Sequence, residues 1–345
     1  MLLHEKYNRL AVNANFWITG LLMLLTLTCL GQKGTYLIAS GQFDLDKIKT
    51  MKSMQEHIQF VSMEHESDVV KQLQANGFSL MSKGVISAAG ITNERLRCYV
   101  AQRGNNIVIV FRGTKSVGNL GQTIINTVLT DANIEQVKPS FITSNSVAPV
   151  SSYRNSNVHK GFDEAYKRLR RDIHNAIQEA PGSSNIFIFG HSLGGALASL
   201  CALDIAVNQN RRFASITHIV SGSPRVGDET FRAYFERAVK NNLRLVINSD
   251  PVPSVPNFIG VRAANKYHHA GNLLVLGKQD AAIVFDNIDV NPNIRHFPNH
   301  NNELYLEVVD KFLKKAINTP SVYGRGSRII EDIANKERAL ANRRF

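Results

Sequence analysis

The chain has 345 residues, 43% of them hydrophobic, and a formal net charge of +12; that is enough apolar material for one large packed domain and too much for a disordered chain. Three cysteines, with no paired Cys/His spacing, exclude a disulfide framework and give no metal site to expect. The charge favours anionic surfaces, and since no pattern of a nucleic-acid module is present, no nucleic-acid function is expected.

In chain order, Lys6 and Arg9 precede an uncharged apolar run of 15 residues from Phe16 to Leu30. As a helix that run spans roughly 22 Å, short of the roughly 30 Å hydrocarbon core. Residues 1–31 therefore read as a secretory signal ending near Cys29-Leu30-Gly31, with an uncleaved membrane anchor as the runner-up. Either reading places the rest of the chain outside the cytoplasm, secreted or membrane-attached. Residues 32–73 form an N-terminal segment whose stretch Phe43 to Gln74 is patterned as helix, with no assignable place on the core. Residues 74–316 alternate apolar strands with helical patterns, as a mostly parallel sheet flanked by helices requires. Residues 317–345 make a basic tail in which Arg325, Arg328, Lys336, Arg338, Arg343 and Arg344 read as an exposed charged helix.

Within the main region, Leu96 to Ala101 is a strand carrying Cys98, and the β-branched run Ile107 to Phe111 is a central strand ending in Arg112-Gly113-Thr114. Beyond it Val117, Leu120, Ile124 and Ile125 recur at helical spacing, as a lid over a site or as an ordinary core helix. Thr130 to Asn157 is a long Ser- and Asn-rich loop. Phe162 to Ala180 keeps a helical period, with Lys167, Arg168, Arg170 and Arg171 assigned to the solvent side.

The apolar run Ile186 to Phe189 leads into Gly190-His191-Ser192-Leu193-Gly194-Gly195 and then into a small-residue helix that carries Cys201. A strand turning sharply into a helix exposes Ser192 as a nucleophile, and Gly190 and Gly194 stand where a Cβ would collide with backbone. The Leu193 amide opens the helix, so it is ready to donate to an oxyanion. Thr114 supplies a second donor from its amide and hydroxyl, a contribution of about 3 kcal/mol in such sites. Its alternative role is a turn cap.

A serine nucleophile needs a base and an orienting acid. Ile216 to Ser221 is a further strand, succeeded by the turn Gly222 to Gly227, in which Arg225 reads as structural. Leu243 to Asn248 is a strand running into Ser249-Asp250-Pro251-Val252-Pro253, where the prolines stop the ladder and set Asp250 on a rigid loop. His300 precedes the final helical stripe Leu304 to Val309 and is the preferred base; its rivals are His296 and the pair His268-His269. The order Ser192, Asp250, His300 is that of the α/β-hydrolase fold. His159 and His191 read as makers of local hydrogen bonds. Cys98 and Cys201 read as core residues that export would allow to pair.

Five segments, in order, resemble the class 3, fungal-type lipase family of the α/β-hydrolases: Ile109 to Thr114, Val158 to Phe162, Gly190 to Gly195, Gly222 to Gly227 and Asp250 to Pro253. The resemblance covers roughly Gln74 to Leu313. It implies Ser192, Asp250 and His300 as a triad, Thr114 and Leu193 as an oxyanion hole, and hydrolysis of lipid ester bonds without metal or organic cofactor. The implied partner is a lipid substrate at a membrane or droplet surface, and the oligomeric state stays open. One departure is the lack of a tryptophan behind Thr114, where the family carries an aromatic lid residue. Phospholipase A action on membrane phospholipid is the main alternative, and a non-catalytic lipid-binding protein the lesser one.

Overall fold

The computed structural model describes residues 45–90, 95–114, 135–142, 155–209, 212–247, 250–256, 266–276, 281–283 and 300–318. The expected signal or anchor segment, the lid candidates Val117, Leu120, Ile124 and Ile125, the rival base His296 and the tail beyond 318 lie outside these residues.

The helices are α1 (Leu45–Ser62), α2 (Glu66–Ala75), α3 (Lys160–Ile177), α4 (Leu193–Asn208), α5 (Glu229–Ala238) and α6 (Asn302–Asn318). The strands are β1 (Ser79–Leu80), β2 (Ile86–Ala88), β3 (Leu96–Arg103), β4 (Asn106–Phe111), β5 (Gln136–Val137), β6 (Val158–His159), β7 (Asn185–His191), β8 (Ser215–Ser221), β9 (Asn241–Ile247), β10 (Leu273–Leu276) and β11 (Ala281–Ile283). Strands β4, β7, β8, β9 and β10 lie side by side and parallel. Antiparallel strands finish both edges: β3 hairpins onto β4 and carries β1 and β2, and β11 pairs with β10.

Alternation along the strands fills two cores. Ile107, Ile109, Phe111, Ile186, Ile188 and Val220 point to the side covered by α3, α4 and α5. Val108, Val110, Phe189, Ile219, Leu243 and Leu245 point to the other side. Each such side chain contributes about 1.5–3 kcal/mol when fully buried. Helix α4 is buried from Leu193 to Val207, and its alanines let it lie close on the sheet.

Helix α1, which the pattern left without a place, covers the second face. Met51, Met54, Ile58 and Val61 share one core cluster with Tyr305, Val308 and Val309 of α6. The Lys52 ammonium also meets Asp310 of α6 at 2.8 Å. That half-exposed pair is worth at most about 1 kcal/mol, so the apolar contact does most of the holding. Inside the expected loop 130–157, β5 pairs antiparallel with β6 and Phe141 is buried, so this stretch is partly ordered onto the domain. Cys98 and Cys201 are both buried and free, so the permitted disulfide does not form.

The register sets the carboxyl ends of the parallel strands in one row. Phe111 stands opposite Gly190, His191 opposite Ser221, and Ser221 opposite Leu245. Thr114, Ser192, Gly222 and Asp250 all come just after those ends, which is where ligand sites of open α/β sheets collect.

Candidate active site

Strand β7 delivers Ser192 to that edge. The Ser192 amide still donates to the Ser221 carbonyl at 3.0 Å, and the chain then reverses into α4. The reversal sets φ 56° and ψ −129° on Ser192, the one non-glycine positive φ among the described residues. Such a backbone costs about 1–3 kcal/mol and persists because the packing around it leaves no other path. A Cβ on Gly190 would fall 2.1 Å from the Gly194 carbonyl oxygen, and one on Gly194 would fall 2.4 Å from that of Phe111. Both expected elbow glycines are therefore required by close backbone approach.

Leu193 opens α4, so its N–H has no carbonyl one turn back and carries the positive end of the helix dipole. Gly113 presses on the elbow: a Cβ there would lie 2.8 Å from the His191 carbonyl oxygen and 3.3 Å from Ser192 Cβ. The adjacency of β4 and β7 thus sets Gly113, the residue before Thr114, against the elbow.

Asp250 is fully buried, just past the end of β9. His300 Nδ1 donates to both of its oxygens, at 3.0 and 2.9 Å. The Val252 amide donates to Oδ1 at 2.9 Å and the Tyr305 hydroxyl to Oδ2 at 2.6 Å. Tyr305 is fixed in turn by the Ile247 amide, which donates to its oxygen at 3.0 Å. Burial, then the Asp250 charge, hold the Tyr305 phenol well above its ordinary range, so it remains a donor. Three donors hold the carboxylate, the His300 Nδ1–H being shared between its two oxygens, and no lysine or arginine among the described residues touches it.

His300 is 2% exposed, and its Nε2 is buried without a hydrogen-bond partner among the described residues. With Nδ1–H committed to the carboxylate, Nε2 carries the free lone pair. Gly222 allows this pair to close. Its φ is +53°, and a Cβ there would lie 2.8 Å from Asp250 Oδ2 and 2.9 Å from His300 Cε1.

His191, read only as a local hydrogen-bonder, joins the elbow to the loop of His300. Its ring stacks on that of His300 with centroids 4.6 Å apart, and its Nε2 lies 3.0 Å from the His300 carbonyl oxygen. A carbonyl only accepts, so Nε2 carries the proton and Nδ1 accepts from the Ser221 hydroxyl at 3.0 Å. Burial, then the nearby His300, keep His191 well below its ordinary range and hence neutral. Neither Tyr305 nor His191 was legible as part of the site, because a tyrosine in an apolar helical stripe and a histidine beside a serine look the same whatever they face.

The remaining histidines and charges have other partners. His268 sits at an isolated bridge to Gly227, and His269 donates to the Pro253 carbonyl at 2.6 Å. Arg225 is buried, its amide bound to the Val255 carbonyl. Arg170, expected on the solvent side of its helix, instead forks onto the fully buried Asp204 of α4 at 2.7 and 3.1 Å. The amphipathic pattern misassigned it because a long side chain at the stripe's margin can reach inward. Tyr166, His174 and Asn208 also donate to Asp204, at 2.6, 2.8 and 2.6 Å. Burial raises the Asp204 carboxyl, yet the bonds from His174 and Arg170 outweigh it and hold it below its ordinary range. Among the described residues no cluster of His, Cys, Asp or Glu fits a metal ion, and no helix is long and apolar enough to cross a membrane.

Residues 108–259 match the family model described as class 3 lipase. A secreted mono- and diacylglycerol lipase of Malassezia globosa is 34% identical over 100 residues, covering 28% of this chain and 32% of that protein. A lipase of Rhizomucor miehei is 32% identical over 170 residues, covering 48% and 40%. The chain thus spans about a third to two fifths of these curated relatives. A structure of a deletion mutant of the Rhizomucor miehei lipase with its propeptide superposes with a TM-score of 0.53 at 21% identity, covering 76% of this chain and 80% of that one. The fold is that of an α/β-hydrolase, and the class 3 lipase resemblance is carried by the segment from β4 to just beyond Asp250.

Proposed function

We propose that this chain is a serine hydrolase that cleaves carboxylic ester bonds of acylglycerols through an acyl-enzyme. The observation that carries the reading is the His300–Asp250 pair with its outer nitrogen buried and unpartnered, on the sheet edge that also holds a strained Ser192. Ser192 Oγ attacks the ester carbonyl carbon as its proton passes to His300 Nε2. The carbonyl oxygen, now negative, accepts from the Leu193 and Thr114 amides. Collapse expels the glycerol oxygen, which takes the proton from Nε2. Water then attacks the acyl-serine, giving one proton to Nε2, and the fatty acid leaves as that proton returns to Ser192. Asp250 keeps Nδ1 protonated and balances the imidazolium, with Tyr305 and the Val252 amide fixing its angle.

The secreted relative supports an extracellular setting, and the net charge of +12 favours a second substrate, the esters of membrane phospholipid. Fatty acid release from diacylglycerol emulsions and phospholipid vesicles tests the reading. Ser192→Ala is expected to lower the rate by about 10⁴-fold or more. Equal release by the variant and the parent protein refutes the hydrolase reading.

A further inference from the structure

Away from Ser192, Asp250 and His300, a cleft of about 410 Å³ is lined by Glu64, Glu66, Val85, Ser87, Arg95, Arg97 and Arg112. It is built where the turn between α1 and α2 meets the start of β3 and the end of β4. Arg112 directly precedes Gly113 and Thr114, and its amide donates to the Arg97 carbonyl at 2.9 Å. The cleft therefore adjoins the oxyanion loop. Only β4 separates β3 from the strand that carries Ser192, two strand spacings or roughly 10 Å.

The charges in the cleft are mixed, and several are not spent on one another. Arg112 donates to the Arg95 carbonyl at 2.6 Å, and Arg97 turns Nη1 to the carbonyls of Met63 and Glu64. Neither Arg95, Arg97 nor Glu66 closes an ion pair among the described residues. Arg112 is buried and Arg97 half-buried at the floor of the cleft, where charge contacts are stronger than on open surface, while Glu64, Glu66 and Arg95 are exposed at its rim. Three planar guanidinium forks suit phosphate oxygens, and two carboxylates beside them suit an ammonium. A volume of this size lies within the usual range for small-ligand sites.

We propose that this cleft seats the zwitterionic phosphodiester head group of a phospholipid, its phosphate on Arg95, Arg97 and Arg112 and its ammonium on Glu64 and Glu66, while the acyl ester lies at Ser192. The inference rests on the hydrolase reading and names a substrate class for it. An uncharged acylglycerol leaves the cleft unused; an anionic head group without an ammonium faces two carboxylates.

The test uses the full chain with phosphatidylethanolamine vesicles, phosphatidylglycerol vesicles and diacylglycerol emulsions. In Arg95→Gln the ratio of phosphatidylethanolamine to diacylglycerol hydrolysis is expected to fall about tenfold. In Glu66→Gln the ratio of phosphatidylethanolamine to phosphatidylglycerol hydrolysis is expected to fall several-fold, with the melting temperature reporting that both variants fold. Ratios that do not move overturn the proposal. Calorimetry with soluble glycerophosphoethanolamine reads the cleft apart from the chemistry. Binding that Arg95→Gln removes upholds the site even if no lipid is cleaved, in which case the hydrolase reading alone fails. No binding, or inorganic phosphate binding as tightly, overturns the head-group assignment.

Discussion

Asp204 and Asp250 are both fully buried carboxylates, and each is held by one tyrosine hydroxyl and one histidine. Around Asp204 the histidine is closed off: Gln209 donates to His174 Nδ1 at 2.6 Å, and Arg170 supplies a permanent countercharge. Around Asp250 the described residues offer no guanidinium, and the far nitrogen of His300 has nothing among them to bond. On the proposed reading, the same three residue types make a strut in one place and a proton acceptor in the other. What decides is whether the outer imidazole nitrogen is capped.

The largest expected effect cuts this contrast directly. His300→Ala should lower kcat on a soluble ester by about 10⁴-fold, while His174→Ala leaves kcat within about twofold. Comparable losses from both would show that the capped pair is also part of the machinery. Next, Asp204→Ala should cost about 3 kcal/mol in urea unfolding, since it strands Arg170 and three other donors, with kcat per folded molecule retained. Tyr305→Phe should lower kcat about tenfold through loss of one charge-assisted bond to Asp250. The matching Tyr166→Phe should cost stability of about 1–2 kcal/mol and leave kcat alone. A kcat loss at Tyr166, or none at Tyr305, would break the division.

The smallest effect, taken per pH unit, concerns histidines with no carboxylate. Burial lowers His57 to about 4 and His218 to about 3, and the cations Arg103 and Arg244 respectively add to this. Below pH of about 6.5 the unfolded chain takes up protons that these native rings refuse, so stability falls as pH drops from about 6.5 towards those values and is unaffected above. Each ring should remove on the order of 1 kcal/mol per pH unit in that window. His218→Gln should flatten the slope of unfolding free energy against pH; an unchanged slope would show that His218 does not titrate there.

Much of the site's framework was readable because its signals are local. Gly190 and Gly194 around Ser192 report close approach within one turn, and Pro251 and Pro253 mark the end of the strand before Asp250. The apolar runs gave β4, β7, β8 and β9 to within about two residues. What stayed illegible depends on contacts between distant parts of the chain. Helix α1 has an apolar stripe that matches a face only once β4, β7 and α6 are assembled. Arg170 looked like its exposed neighbours because Asp204 lies on another helix. Tyr305 and Gly222 act through a carboxylate remote in sequence from both, and no spacing rule reports that.

The join between α1 and α6 also governs what an unfinished chain can do. A polypeptide released after the elbow and Asp250 but before His300 has the proposed nucleophile and acid, yet neither His300 nor the helix that anchors it. It also uncovers the side of α1 that packs against Tyr305, Val308 and Val309, while the strands still cover the other side. Products cut between Asp250 and His300 therefore lack the proposed base and are prone to clump through the uncovered side of α1.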